Sequence, residues 1–121
     1  VYGTKLLRAI DPLHPRESAE MIATFRAVAP YTGVDVPRLR DLWRLGREVD
    51  RLRLPGAIAQ CGVWNGGSAA MAVKASPHRE TWLFDSFEGF PRPTIEDLPG
   101  AAIQPGDWAG TPDAVWAAMR P

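Results

Sequence analysis

IAQCGVWNGGSAAMA, from Ile58 to Ala72, decides how this chain is read. It opens as an apolar run, passes through a turn holding Gly62, Gly66 and Gly67, and closes as an alanine-rich segment. Ala57 to Cys61 is the kind of short apolar run that a parallel sheet buries on both faces. Ser68 is a helix-capping residue type, and Ala69 to Ala75 continue as good helix formers. Thr81 to Phe84 reads as a second strand that ends at Asp85. Strand, turn, helix and strand make one βαβ unit, with parallel strands and a right-handed crossover expected. The ligand crevice of such a unit lies beyond the carboxyl ends of its strands.

The three glycines point to a ligand in that crevice. Gly62 lets the chain turn sharply, and Gly66 and Gly67 are expected to remove side chains where a ligand meets bare backbone. The free N–H groups at the helix start face the same space. Asp85 follows Gly62 by 23 residues, where a carboxylate can accept hydrogen bonds from ribose hydroxyls. The spacing is neither the G-x-G-x-x-G of dinucleotide folds nor a phosphate-cradling P-loop, and Trp64 is bulky for a pyrophosphate bed. The pattern favours a nucleoside without phosphates, of which S-adenosylmethionine is the common one.

Outward from this unit, residues 16–29 read as a helix with Met21, Ile22, Phe25, Val28 and Ala29 on one face, ended by Pro30. YTGVDVP then forms a loop. A second helix is predicted over 36–53, capped by Asp35, with Leu39, Leu42, Trp43, Val49 and Leu52 buried. Its other face sets Arg38, Arg40, Arg44, Arg47, Arg51 and Arg53 against Asp41, Glu48 and Asp50, which reads as a solvated, ion-paired face rather than a phosphate-binding stripe. Residues 86–112 hold five prolines and four glycines and read as a long loop. Thr111-Pro112-Asp113 starts a last helix, with Val115, Trp116 and Met119 on its apolar side.

The bulk numbers bound the function. At 121 residues the chain makes one domain at most, and 45% apolar with 23% charged residues is ordinary for a globular protein. Zero formal net charge gives no global field for nucleic acid or an anionic membrane, and neither partner is expected. No run approaches the ~18 apolar residues of a membrane span, and a cytoplasmic location is expected. The lone Cys61 excludes an internal disulfide framework. It reads as a small buried thiol, and His14 and His78 read as surface residues. Trp64 either stacks on a ligand or packs beneath its loop. Glu88 reads as solvated, the segment around Asp107 as a turn rather than an adenine contact, and Trp108 and Trp116 as packing residues of a lid rather than substrate platforms. The chain starts at Val1 and stops at Pro121 soon after a new helix begins, which reads as a fragment.

CGVWNGGS (Cys61–Ser68) followed by LFDSFEGFPRPTIED (Leu83–Asp97) closely resembles the macrocin O-methyltransferase family of the TylF type. That family shows an E-C-G-V-W-x-G-G-S motif and then L-F-D-S/T-F-E-G-x-P. YTGVDVPRLRDL (Tyr31–Leu42) is similar to its Y-T-x-x-S-x-x-R-L segment. The resemblance covers residues 28–121. It implies a Rossmann-like class I methyltransferase fold of α/β class, here incomplete, with an N-terminal helical segment over 1–30 and a partial S-adenosylmethionine-binding domain over 31–121. It implies methyl transfer from S-adenosylmethionine to a hydroxyl, on sugars of macrolide-type natural products, with magnesium. Carried over, Gly62, Gly66, Gly67 and Ser68 shape the methionine end of the cofactor site. Asp85 takes the ribose, Ser86 and Phe87 lie near the adenosine, and Tyr31 and Thr32 close over the cofactor.

One position departs from the pattern: Gln60 stands where the family has Glu. A carboxylate there helps hold the cofactor's cationic groups, so weaker cofactor binding is expected. In the family, the magnesium ligands and the catalytic base are aspartates after later strands, and none carries over onto this chain. The 121 residues are therefore expected to be inactive alone, and marginally stable or held by a partner chain, a homo-oligomer being one arrangement. The rival readings are a nicotinamide- or flavin-binding Rossmann oxidoreductase and a non-catalytic remnant or interaction module.

Overall fold

The computed structural model describes residues 15–94, 97 and 103–120. Helix α1 spans Pro15–Val28 and runs into a 3-10 turn at Ala29–Tyr31. Helix α2 spans Val36–Arg51, strand β1 Ile58–Cys61, helix α3 Gly67–Ala75, strand β2 Thr81–Phe84 and helix α4 Pro112–Met119. The two strands pair in parallel, with Ile58 opposite Thr81 and Cys61 opposite Phe84. The described fold is α/β, a small parallel sheet flanked by helices.

Helix α3 is the centre of the packing. Gly67, Ala69, Ala70, Met71, Ala72 and Ala75 are all buried in it. Its alanines are small because three other helices press on it. From α1 come Met21 and Val28, from α2 Val36, Leu39 and Trp43, and from α4 Ala118, all in one cluster with Ala70, Met71 and Ala75. A second cluster joins Val63, Ala69 and Val115, with Leu83 and Phe87 against it. Where α2 meets α3, Gly46 has no side chain to separate them: a methyl group there would lie 2.9 Å from the Ala75 Cβ. The Ser76 hydroxyl then donates to the Gly46 carbonyl at 2.9 Å.

Local chemistry starts α2 and α4 where the sequence indicates. The Asp35 carboxylate caps α2 by accepting the Arg38 N–H at 3.1 Å, with Pro37 in the first turn. Thr111 caps α4 in the same way by accepting the Ala114 N–H at 3.1 Å. Helix α2 ends as Arg53 takes a left-handed conformation, φ 54°, and Leu54 N–H returns to the Val49 carbonyl. The arginine face of α2 is ion-paired, as expected: Arg51 with Glu48, Arg40 with Asp41, and Arg47 with Glu20 of α1. The Arg47 guanidinium also lies 4.9 Å from the Trp43 ring centroid.

Several expectations are corrected. Strand β1 is not buried on both faces: Ala59 and Cys61 are exposed, as are Trp82 and Phe84 opposite them, because among the described residues the helices cover one side of the sheet only. Cys61 is thus an exposed thiol. Ala29 and Leu52 are exposed, since each falls past the end of its helix, where the turn rotates it off the apolar face. Trp116 is 69% exposed, because α4 packs through Val115 and Ala118, one helical turn apart on the opposite face. The expected surface residue His14 lies outside the described residues.

Arg79, in the turn before β2, ties the two crossovers together. Its guanidinium donates to Asp50 at 2.6 Å and to the carbonyls of Gly56, Leu54 and Val49 at 2.8, 2.7 and 3.3 Å. This fixes the segment that delivers the chain from α2 into β1. We expect Arg79→Ala to lower unfolding free energy by about 2–3 kcal/mol in urea denaturation, with Arg79→Lys recovering only part, because a single ammonium lacks the planar fork.

Candidate functional site

β1 and β2 end side by side, and the chain leaving each meets the other. Gly62, just past β1, turns with φ 79° and donates its N–H to the Phe84 carbonyl at 2.8 Å. Asp85, just past β2, reaches back. Its Oδ2 accepts the N–H groups of Val63 at 2.6 Å and Trp64 at 2.8 Å, and its Oδ1 accepts the N–H of Phe87 at 2.8 Å. These bonds hold the Asp85 carboxyl below the usual carboxylate range, the Phe87 and Trp64 amides contributing most, against a smaller opposing effect of burial.

Beyond the strand ends lies an open cleft of about 820 Å³, lined by Gly62, Trp64, Leu83, Phe84, Asp85, Ser86, Gly89, Phe90 and Trp108. Its size falls within the range typical of small-molecule sites. Among the described residues Asp85 is its one charged lining residue. Aromatic rings line it too: the Trp64 and Trp108 rings meet edge to face, centroids 4.9 Å apart at 63°. Trp64, Phe87 and Trp108 all have positive φ, at 50°, 59° and 59°. Left-handed backbone at a non-glycine residue costs on the order of 1 kcal/mol and persists only where surrounding contacts impose it. Two of them, Trp64 and Trp108, line the cleft, and Phe87 faces a separate hollow.

The three glycines serve different ends. A methyl group on Gly62 would meet nothing within 4 Å, so this glycine does leave open backbone at the cleft. Gly66 and Gly67 do not. A methyl on Gly66 would lie 2.9 Å from the Val115 Cα, and on Gly67 2.6 Å from the Thr32 Cβ and 2.7 Å from the Tyr31 carbonyl. They are glycines because α4 and the 31–32 segment press on the start of α3. Gly66, at φ 89°, rather than Ser68, occupies the cap position, and Ser68 lies inside the first turn. Its hydroxyl accepts from Gln60 Nε2 at 2.9 Å, and the same amide nitrogen donates to the Gly62 carbonyl at 3.0 Å. Gln60 therefore ties the turn's two ends with a donor that a glutamate lacks.

Of the expected site residues, the cleft brings together Gly62, Asp85 and Ser86. At the root of α3, Tyr31 and Thr32 pack on Gly67 and Val115 packs on Gly66, and none of these lines the cleft. Phe87 turns away into a separate apolar hollow of about 270 Å³ with Leu83, Val115, Trp116 and Met119. Sequence reasoning left out Gly33 and Phe90, and read Trp108 as a packing residue of a lid rather than a lining residue of the cleft. The available signal was a glycine in each half of the Pro-rich loop: Gly89 packs on the Gly106 and Asp107 carbonyls, and Phe90 exchanges backbone hydrogen bonds with that segment. Among the described residues, no group of three or more His, Cys, Asp or Glu is placed to hold a metal ion. No described helix is long and apolar enough to cross a membrane.

Residues 14–109 match the family macrocin-O-methyltransferase (TylF). The chain belongs to that family. Like this macrocin O-methyltransferase family chain in sequence is mycinamicin III 3''-O-methyltransferase of Micromonospora griseorubida, 35% identical over 89 residues. The match covers 69% of this chain and 34% of that relative, so the chain spans about a third of the length of the curated relative it matches. No solved structure matches it.

The Asp85 carboxylate yields a stability prediction. Asn in its place has one carbonyl oxygen and an amide that cannot accept, so at least one N–H loses its partner. Asp85→Asn should lower stability by about 2 kcal/mol at pH 7. Because the folded-state value lies below the ordinary 3.8, the contribution is complete above about pH 4 and is lost as pH falls through the lower value. Chemical denaturation at a series of pH values should therefore show the gap between wild type and Asp85→Asn constant from pH 7 to 5 and closing below pH 4.

Proposed function

We propose that this chain forms the cofactor-binding part of an S-adenosylmethionine-dependent O-methyltransferase whose acceptor is a hydroxyl on a glycosylated, macrolide-type natural product. On this reading β1, α3 and β2 are the first βαβ unit of a Rossmann-like class I methyltransferase fold. The observation that carries it is the cleft itself: a bare glycine turn, a strand-end carboxylate that holds it, and aromatic rings. Family membership gives the reaction class, and the relative's name gives the class of acceptor.

The residues present fit such a cofactor. Gly62 offers unobstructed backbone on the cleft side. Of the roughly four acceptor positions on the Asp85 carboxylate, three are taken by backbone N–H groups. One is left for a ribose hydroxyl, fewer than the paired contact the motif alone suggests. The Ser86 hydroxyl accepts the Glu88 N–H at 3.3 Å and keeps its own proton to donate into the cleft. Gln60, Ser68, Gly66, Gly67, Tyr31, Thr32 and Phe87 act by holding the turn and the helix start in place. When bound, S-adenosylmethionine supplies a methyl group on a positively charged sulfur. The single negative charge of Asp85 is of the sign that attracts it. Magnesium and a catalytic base belong to the proposed intact enzyme, and no residue of this chain is assigned to either. Self-association through the open sheet edges is part of the same reading.

Calorimetric titration of the chain with S-adenosylmethionine, and in parallel with NAD, tests the reading. We expect saturable binding of the first and none of the second. Binding of NAD alone would replace it with a nicotinamide-dependent oxidoreductase. Binding of neither would make the chain a non-catalytic remnant or an interaction module.

A further inference from the structure

We infer that Trp108 is the platform on which the planar base of a nucleoside rests in the cleft, and that Gly33 is the socket holding its ring there. The inference rests on the cofactor reading above and names where the heteroaromatic part of that ligand lies. Trp108 lines the cleft and is 55% exposed, although three separate contacts hold it. A methyl group at Gly33 would sit 2.6 Å from two ring carbons of Trp108, so the indole fills the place of the missing side chain. Its ring stands edge to face against Trp64. The backbone on either side is also anchored. The Phe90 N–H donates to the Asp107 carbonyl at 2.9 Å, and the Gly106 N–H to the Phe90 carbonyl at 2.9 Å.

Exposure alone does not mark a platform, since Trp82 and Trp116 are 53% and 69% exposed without lining the cleft. Trp108 combines exposure with a strained backbone, a fitted edge and a place in the cleft. Water is a poor neighbour for an indole face, and a flat base is a good one: stacking accepts any base and needs no hydrogen-bond pattern. Asp85 and Ser86 lie in the same cleft, so a ribose at the carboxylate and a base on the indole use one continuous surface. Gly33 has no unusual φ, so alanine there displaces the ring without straining its own backbone.

S-adenosylhomocysteine is the probe, because it carries the base and ribose without the sulfonium charge. Its affinity is measured by calorimetry and by quenching of tryptophan emission, for wild type, Trp108→Ala, Trp108→Phe, Gly33→Ala and, as a control away from the cleft, Trp116→Phe. Trp108→Ala and Gly33→Ala should each weaken binding about tenfold or more, Trp108→Phe less, and Trp116→Phe not at all. The ligand-induced quench should be much reduced in Trp108→Phe, which keeps a ring to hold the loop if the alanine variant does not fold. Wild-type affinity in Trp108→Ala and Gly33→Ala, or an unchanged quench in Trp108→Phe, would overturn the inference and leave the cofactor reading standing. Absence of binding to the wild type would overturn both.

Discussion

One carboxylate organises the end of the sheet. The N–H groups of Val63 and Trp64 emerge from β1 with no strand left to pair them, and Asp85 accepts both. Its other oxygen holds Phe87 and so directs the chain leaving β2. The consequences spread from there. Trp64 is forced into a left-handed conformation, its ring is offered to Trp108, and Phe87 is sent to the apolar side, where it packs with Val63 and Val115. The cleft is what remains between the two diverging chains. Its charge and its shape therefore have one source, and the charged group of the cleft is also a structural strut.

The second constraint is steric. Helix α3 carries the turn into the core and is crossed by three helices at short range. Small residues alone satisfy this: Ala75 and Ser76 at the α2 crossing, Gly67 beneath Tyr31 and Thr32, Gly66 beneath Val115. An added methyl at any of these glycines meets another part of the chain at under 3.0 Å. A glycine-rich turn thus mixes two demands that look alike in the letters, open left-handed backbone at Gly62 and room for the protein itself at Gly66 and Gly67.

That mixture explains what the sequence did and did not disclose. The βαβ order, both strands, the caps at Asp35 and Thr111 and the place of Asp85 at a strand end were legible, because each depends on neighbours in sequence. The family was legible because two long motifs lie in order. The partners of Gly66 and Gly67 were not, since Val115 and Tyr31 come from elements distant in sequence. Nor was the exposed face of β1: an apolar run of four residues reads alike whether one or both faces are covered. Ser68 has the letter of a cap, but Gly66 takes the left-handed position two residues earlier and leaves the serine hydroxyl to Gln60. The seat of Trp108 was hidden for a similar reason, because Gly33, against which its ring packs, is 75 residues away.

Amide hydrogen exchange read by NMR addresses the role of Asp85 most directly. At neutral pH the amides of Val63, Trp64 and Phe87 should be protected together in the wild type, although they lie in a loop. In Asp85→Asn the three should lose protection together, while amides inside α3 keep theirs. Fast exchange at those three positions in the wild type, or protection that survives Asp85→Asn, would contradict a carboxylate-built cleft.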